Sequence, residues 1–313
     1  MMTGKLYIDG RDAYLDYGVY IEDNSLGAFV QMPSFKTIES TDWLDEDGEE
    51  YDLTAPVLDS RKFQVKFAIT NVRYAEDLFY ALSQGAYHEF NVPALGRTWK
   101  LRMTSNGAFS SFVTLGKFTL NLVDDYPTIP EGTPLEVGKS GIIQGGYELD
   151  GFDMSQFGAY ILKGSLNDLR KSPQVKTNLE IKSKYTTSVI YDAEVVHFKP
   201  KDVSFNILIK TSTVTEFWER YDALFSVLLQ PELHKFVYKE TEAVYECFYS
   251  KQNITRFFVE DNGGIWCEFT LTLKFVSCRP ATSYMYLVTQ DNDYITTEDG
   301  IKVIIRPSLV QMA

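Results

Sequence analysis

From residue 61 to 70 the chain alternates strictly: Phe63, Val65, Phe67 and Ile69 are apolar, with Lys62, Gln64 and Lys66 between them. Successive side chains of a strand point to opposite faces, so this period predicts a half-buried β-strand. The period then changes. Leu78, Phe79 and Leu82 stand at i, i+1 and i+4, the apolar stripe of a helix over 74–84. Asn71 is its candidate N-cap and Gly85 its stop. Strands follow at 87–92, 98–104 and 116–123. Upstream, 5–9 alternates into Gly10, and a turn leads to a strand at 17–21, where Gly18 reads as a bulge or a close backbone approach. Residues 34–43 and 49–54 read as two strands around Asp45-Glu46-Asp47-Gly48, a β-hairpin with Trp43, Asp45 and Asp47 near its tip.

The pattern is written twice. Tyr17-Gly18-Val19-Tyr20-Ile21 returns 140 positions later as Phe157-Gly158-Ala159-Tyr160-Ile161. Tyr7 returns as Tyr147, Pro33 as Pro173, and the alternating face as Val203, Phe205, Ile207 and Ile209, all at the same shift. The offset then grows to 146 for Leu78, Phe79, Leu82, His88 and Phe90, matched by Leu224, Phe225, Leu228, His234 and Phe236. It reaches 151 for Phe118-Thr119-Leu120 against Phe269-Thr270-Leu271. An order that survives while the offset only grows is a duplication, anchored on Tyr17, Gly18 and Pro33 and on Phe157, Gly158 and Pro173. The second helix is expected over 214–229, capped by Thr213 and stopped by Pro231, with strands at 235–239, 243–250 and 266–277. The second hairpin, 177–192, has lost the acidic turn and carries Lys182, Lys184 and Tyr185.

These elements predict a mainly β protein (α+β by count): two tandem antiparallel β-sandwiches or barrels, each with one flanking helix. The expected domains are 1–127, a linker 128–146 rich in proline and glycine, 147–280, and an extension 281–313. In the extension, strands at 283–288 and 294–297 and a tight turn at Asp299-Gly300 into 301–306 predict an added C-terminal hairpin.

Charge narrows the function. Thirty basic against 43 acidic residues leave −13 at pH 7, which repels a phosphate backbone and argues against a sequence-reading nucleic-acid binder. A tube through which DNA slides without sticking needs the same repulsion. No apolar run approaches the roughly 20 residues of a membrane helix, and Met1-Met2-Thr3-Gly4-Lys5 lacks an apolar signal region, so neither membrane nor secretion is expected. Cys247, Cys267 and Cys278 all lie in the second half. They are expected as buried or free thiols in a reducing cytosol, a Cys247–Cys267 bridge being the alternative.

Candidate chemistry is sparse. Placing Gly48 at position 6 of a calcium loop puts Trp43 at position 1 and Thr54 at position 12, so that pattern fails at both ends. His88 and His234 are repeat equivalents, which predicts a packing or hydrogen-bonding role where helix meets strand. There is no nucleophile elbow and no phosphate-binding lysine after a glycine-rich loop. Asp124-Asp125 is an ordinary pair in an acidic chain, with nothing marking a general acid and base. The repeated positions are Phe, Tyr, Leu, Val, Gly and Pro, so no catalytic residue, cofactor or metal is expected and the protein is read as a non-enzyme.

The opening Leu6-Tyr7-Ile8-Asp9-Gly10, then Tyr17-Gly18-Val19, and the order hairpin, alternating strand, helix, returning strands resemble the N-terminal domain of phage distal tail proteins, over about 4–127 and again 144–280. That resemblance implies the tail-tube fold shared with tube and hub proteins, a ring at the tube end in the baseplate, DNA passing without specific binding, and other tail proteins as partners. It implies a virion tail component assembled in the bacterial host cytoplasm. A distal tail protein has one ring domain per chain and forms a hexamer. Two copies here suggest the hub arrangement instead, a trimer with pseudo-sixfold symmetry. The hairpins, with Trp43, Asp45, Asp47, Lys182, Lys184 and Tyr185, are the candidate subunit interfaces. The alternative is a carbohydrate-binding or adhesion β-sandwich, for which Trp43 and Trp99 are the candidate platforms.

Overall fold

A computed structural model describes residues 3–70, 74–142, 145–177 and 196–277, with 180–182, 184–185, 187 and 189–191 between, and the pairs 285–286 and 304–305. The chain begins with β1 (Tyr7–Ile8), β2 (Arg11–Asp12), the one-turn α1 (Ala13–Tyr17) and β3 (Val19–Ile21). The hairpin β4 (Ser40–Thr41) and β5 (Glu50–Tyr51) comes next, then β6 (Arg61–Ile69), α2 (Ala75–Ser83), β7 (His88–Val92), β8 (Arg97–Phe112) and β9 (Leu115–Asp124). The second half repeats this with β10 (Tyr147–Leu149), β11 (Phe152–Asp153), β12 (Ala159–Ile161), α3 (Leu166–Arg170), β13 (Glu180–Lys182) and β14 (Val189–Tyr191). It continues through β15 (Lys201–Thr211), α4 (Val214–Leu228), β16 (His234–Tyr238), β17 (Ala243–Val259) and β18 (Ile265–Phe275). Beyond it β19 (Met285–Tyr286) pairs antiparallel with β20 (Ile304–Ile305), and the turn at Asp299-Gly300 lies outside the described residues.

The two seven-stranded sheets have one topology. The first runs β2-β1-β7-β8-β9-β6-β3 and the second β11-β10-β16-β17-β18-β15-β12, each a curled antiparallel half-barrel. Strand registers reproduce the offsets read from the sequence. Phe63 faces Leu122 as Val203 faces Leu273, and His88 faces Leu101 as His234 faces Cys247. One offset is corrected. Ile8 faces Phe90 and Leu149 faces Phe236, so the first strand repeats at 141, and Tyr7 corresponds to Glu148 rather than Tyr147.

Gly18 also plays a different part from the bulge expected. It caps α1 with φ +65°, its N–H donating back into the helix, and Gly158 caps a short 3-10 turn the same way at φ +62°. Both sites are left-handed C-caps, which glycine adopts without the steric penalty of a Cβ. The alternating strand β6 buries Phe63, Val65 and Phe67 while Lys62, Gln64 and Lys66 stay exposed. Thr213 caps α4 through Glu216 N–H at 3.2 Å; Asn71 lies outside the described residues. The hairpin strands are shorter than expected, Ser40 facing Tyr51 and Thr41 facing Glu50. β8 and β17 are far longer, and both break register just after Met103 and its counterpart Tyr249.

Each repeat closes its helix onto its sheet with the same clamp. His88 Nδ1 meets Asp9 Oδ2 at 2.6 Å while Nε2 lies 2.9 Å from the Leu82 carbonyl at the end of α2. His234 repeats this with Asp150 Oδ2 at 2.7 Å and the Leu228 carbonyl at 3.2 Å. Both ring nitrogens face oxygen acceptors, and the ring stands in for partners that the last helical carbonyls would otherwise lack. Buried side chains of both repeats form one continuous core, joining Phe29, Phe67 and Phe118 to Phe217, Tyr221 and Phe269.

Candidate functional site: the contact between the repeats

The sheets meet where the first repeat lays three pieces of chain against α4 and β17. The first piece is the 3-10 turn Asp23–Phe29 and the residues after it. Gly27 lies so close to β17 that a Cβ there would come within 2.9 Å of both Ile254 and Phe257. The Tyr221 hydroxyl donates to the Val30 carbonyl at 2.6 Å, and Met32 N–H donates to Gln252 Oε1 at 2.8 Å. The Tyr221 bond is buried and the Met32 bond partly so, and a buried polar group without a partner costs about 1–3 kcal/mol.

The second piece is the start of β8. Arg97 reaches across to form a two-pronged ion pair with Asp222, and its guanidinium carbon lies 3.5 Å from the Trp218 ring centroid. Trp218 Nε1 donates to the Leu95 carbonyl at 2.6 Å. Burial pushes the Asp222 carboxyl above its ordinary range, against the opposing pull of Arg97. A cleft of about 800 Å³ opens here, bordered by Arg61, Arg97, Trp99, Asp124, Trp218 and Asp222. Two of its other charges are paired: Arg61 meets Asp124 at 3.1 Å and also donates to the Phe29 and Gln31 carbonyls at 2.8 Å each. The Arg97–Asp222 pair joins the two repeats across the cleft, whereas Arg61 and Asp124 brace the first repeat alone.

The third piece is the acidic hairpin. Gly48 N–H donates to the Phe198 carbonyl (2.8 Å), Glu49 N–H to the Val276 carbonyl (3.1 Å), and Phe198 N–H to Asp47 Oδ1 (2.9 Å). The buried ammonium of Lys176 is held by Asp42 Oδ1 at 2.5 Å and the Trp43 carbonyl at 2.6 Å. Beneath the hairpin Leu53, Phe248 and Val276 make a small separate core, with Tyr51 and Phe248 rings 4.9 Å apart. At the tip itself Asp47 Oδ1 lies 3.7 Å from His197 Nδ1 of the second repeat, while Asp42 at its base holds Lys176.

The residues singled out from the sequence fall in different places. Asp47 lies in this contact. Trp43 contributes its carbonyl to it, while its indole N–H donates to Glu50 and its ring is half exposed. Asp45 is exposed. Lys182, Lys184 and Tyr185 lie on the second hairpin, exposed, with Lys184 Nζ 5.0 Å from the Tyr185 ring centre. Trp99 packs 5.1 Å from Phe29 and 6.5 Å from Trp218 between the repeats, which makes it part of the junction rather than an open sugar platform. Cys247 and Cys267 are both buried and free, and burial raises both thiols well above their ordinary value; Cys278 lies outside the described residues. Among the described residues no group of His, Cys, Asp or Glu could hold a metal ion, and no helix is long and apolar enough to cross a membrane.

The connector is not a free linker. Its Gly132 passes over the backbone of Asp222 and Ala223, and its carbonyl accepts from Ser226 Oγ at 2.7 Å. Leu135 exchanges two hydrogen bonds with Gln156, at 3.0 and 2.8 Å. Arg97, Trp218 and Gln252 are not legible in the sequence as junction residues, and Tyr221 reads there only as part of the second helix's apolar stripe. Their partners lie 123 to 220 residues away in the chain, and no local spacing reveals such pairs.

Fold and junction thus define a tandem β protein whose most developed site joins its own repeats. No protein-family model and no curated protein matches the chain. Among solved structures it is similar to SPP1 Dit, described as a paradigm of the hub adsorption apparatus in Gram-positive infecting phages. The sequence identity is 12% and the TM-score 0.30, over 87% of this chain and 98% of that one.

Proposed function

We propose that the chain is a structural protein of a phage or prophage tail, forming a hub ring at the end of the tube through which DNA passes. The observation that carries this reading is the side-by-side packing of two half-barrels, the hairpin of one clasping the next. A ring of such units would be built from this contact, which is already present inside one chain. The resemblance in element order supports the same reading, and the net charge of −13 suits a wall that must not grip DNA. Residues 1–127 and 147–280 would be the two ring units, 128–146 the connector between them, and 281–313 an extension toward neighbouring tail proteins. Three chains would then supply six units; a hexamer using one unit per chain is the other closed arrangement. The role is structural rather than catalytic, exercised in the virion after assembly in the host cytoplasm. Negative-stain imaging of the purified protein, alone and with tail-tube protein from the same genome, tests it. Rings with a central hole are expected. Their absence in both samples, together with a positive glycan-binding screen, would turn the reading to an adhesion module.

A further inference from the structure

Equivalent residues of the two repeats differ in burial, and the differences gather on two faces. On the first repeat Gly27 and Val30 are buried against β17 and α4, whereas their equivalents on the second, Asn167 and Arg170, are exposed. On the second repeat Lys176 is buried under the hairpin at 4% exposure, whereas its equivalent on the first, Lys36, is exposed. Strand register extends the comparison. Phe109 faces Phe118 as Ile254 faces Phe269, and Ser111 faces Gly116 as Phe257 faces Cys267. Ile254 and Phe257 are covered by Gly27, while Phe109 is 44% exposed and Ser111 is exposed. The chain therefore uses one contact internally and leaves its two halves open, one at each end.

We infer that these open faces bind each other in a second copy of this chain, the Asn167–Arg170 face of one molecule covering the Phe109–Ser111 face of the next. The inference rests on the ring reading above and names its contact. Two substitutions suit the pairing. Where Gly27 must lie flat against the bulky Phe257, the outer contact sets the longer Asn167 against the small Ser111, so the space lost on one side is regained on the other. Where Val30 meets α4 beside Asp222, the outer contact brings Arg170 to the first turn of α2, which carries exposed Glu76 and Asp77. A cation beside those carboxylates is favourable and steers association. Because the two faces differ, association is head-to-tail and closes into a ring if the rotation allows.

Light scattering on wild type, Phe109→Glu and Arg170→Glu tests the assignment, since both substituted positions are exposed and circular dichroism melting checks that the variants fold. Wild type is expected to assemble. Each variant alone should remain a single chain, because one of its faces is spoiled, and an equimolar mixture should stop at two chains joined by the one intact pair. Assembly that both variants leave unchanged would place the ring contact elsewhere, overturning this assignment while the tail reading stands. A wild type that remains a single chain at every concentration would also overturn it; the tail reading then depends on imaging with the tube protein. A charge exchange, Arg170→Glu with Glu76→Arg, should restore assembly if the two residues meet, and failure to do so while Phe109→Glu still dissociates the ring would remove Arg170 from the contact.

Discussion

Gly48 of the first repeat and Val276 of the second touch through backbone alone: a Cβ built on Gly48 would fall 1.9 Å from the Val276 carbonyl oxygen. Gly48 also holds φ +81°, a conformation L side chains rarely adopt. Gly48→Ala should therefore cost about 2–3 kcal/mol, combining left-handed strain with a clash against immovable backbone. Denaturant midpoints measure the loss, and hydrogen exchange should show the Gly48 and Glu49 amides losing protection first. An unchanged midpoint would mean the hairpin does not clasp the second repeat.

Asp42 and Lys176 should respond unequally to removal. Asp42→Ala leaves a buried ammonium with the Trp43 carbonyl as its remaining partner here, a loss of about 2 kcal/mol or more. Lys176→Met replaces the buried cation with an apolar chain of similar length, and Asp42 is half exposed and can return to water. Thermal denaturation of both variants should place Asp42→Ala below Lys176→Met. The reverse order would show that the ammonium reaches solvent.

Asp153 sets a pH dependence. Burial alone would raise its carboxyl, but donors from Ser155, Lys239 and Gly145 prevail and hold it below its ordinary value of 3.8. The folded state then binds fewer protons than the unfolded one, so the stability from this group is fully present above about pH 4–5 and is lost as pH falls through 3.8 and below. Melting temperatures from pH 2 to 6 should fall more steeply for wild type than for Asp153→Asn. Parallel curves would show that Asp153 is not held in its charged form by these donors.

The two buried thiols should be silent until the fold opens. Burial keeps Cys247 and Cys267 protonated and out of reach, and thiolate is the reactive species. In a Cys278→Ser background a thiol reagent should find no reactive group in the native protein and two in denaturant. Fewer than two after unfolding without reductant would indicate a bridge.

Much of the repeat was legible in the sequence, for a physical reason. β6 and β15 bury one face each, so their side chains alternate visibly, and α2 and α4 carry an apolar stripe against the sheet. The far halves of β8 and β17 are not legible in the sequence because the described residues of 104–112 are largely exposed, and because one inward position of 251–259 is the polar Gln252, which blurs the apolar alternation. α1 is only one turn long, too short for a helical period to show. Gly18 stands out in the sequence, yet a bulge and a left-handed cap ask for glycine alike. Tyr7 and Tyr147 share aromatic identity but not strand position, because the offset changes by one residue there, a change only strand pairing reveals.

The connector over α4 has a consequence in concentration. Tethering the repeats by about twenty residues makes their contact intramolecular, at an effective concentration on the order of millimolar. Dilution cannot separate them. Beside its shared core, the junction between repeats can therefore include a half-exposed ion pair and a glycine-to-carbonyl touch, contacts that on their own would hold two independent molecules only weakly. Any contact made between separate chains has no such tether, and at low protein concentration the paired unit, rather than the single half-barrel, would be the smallest piece in circulation.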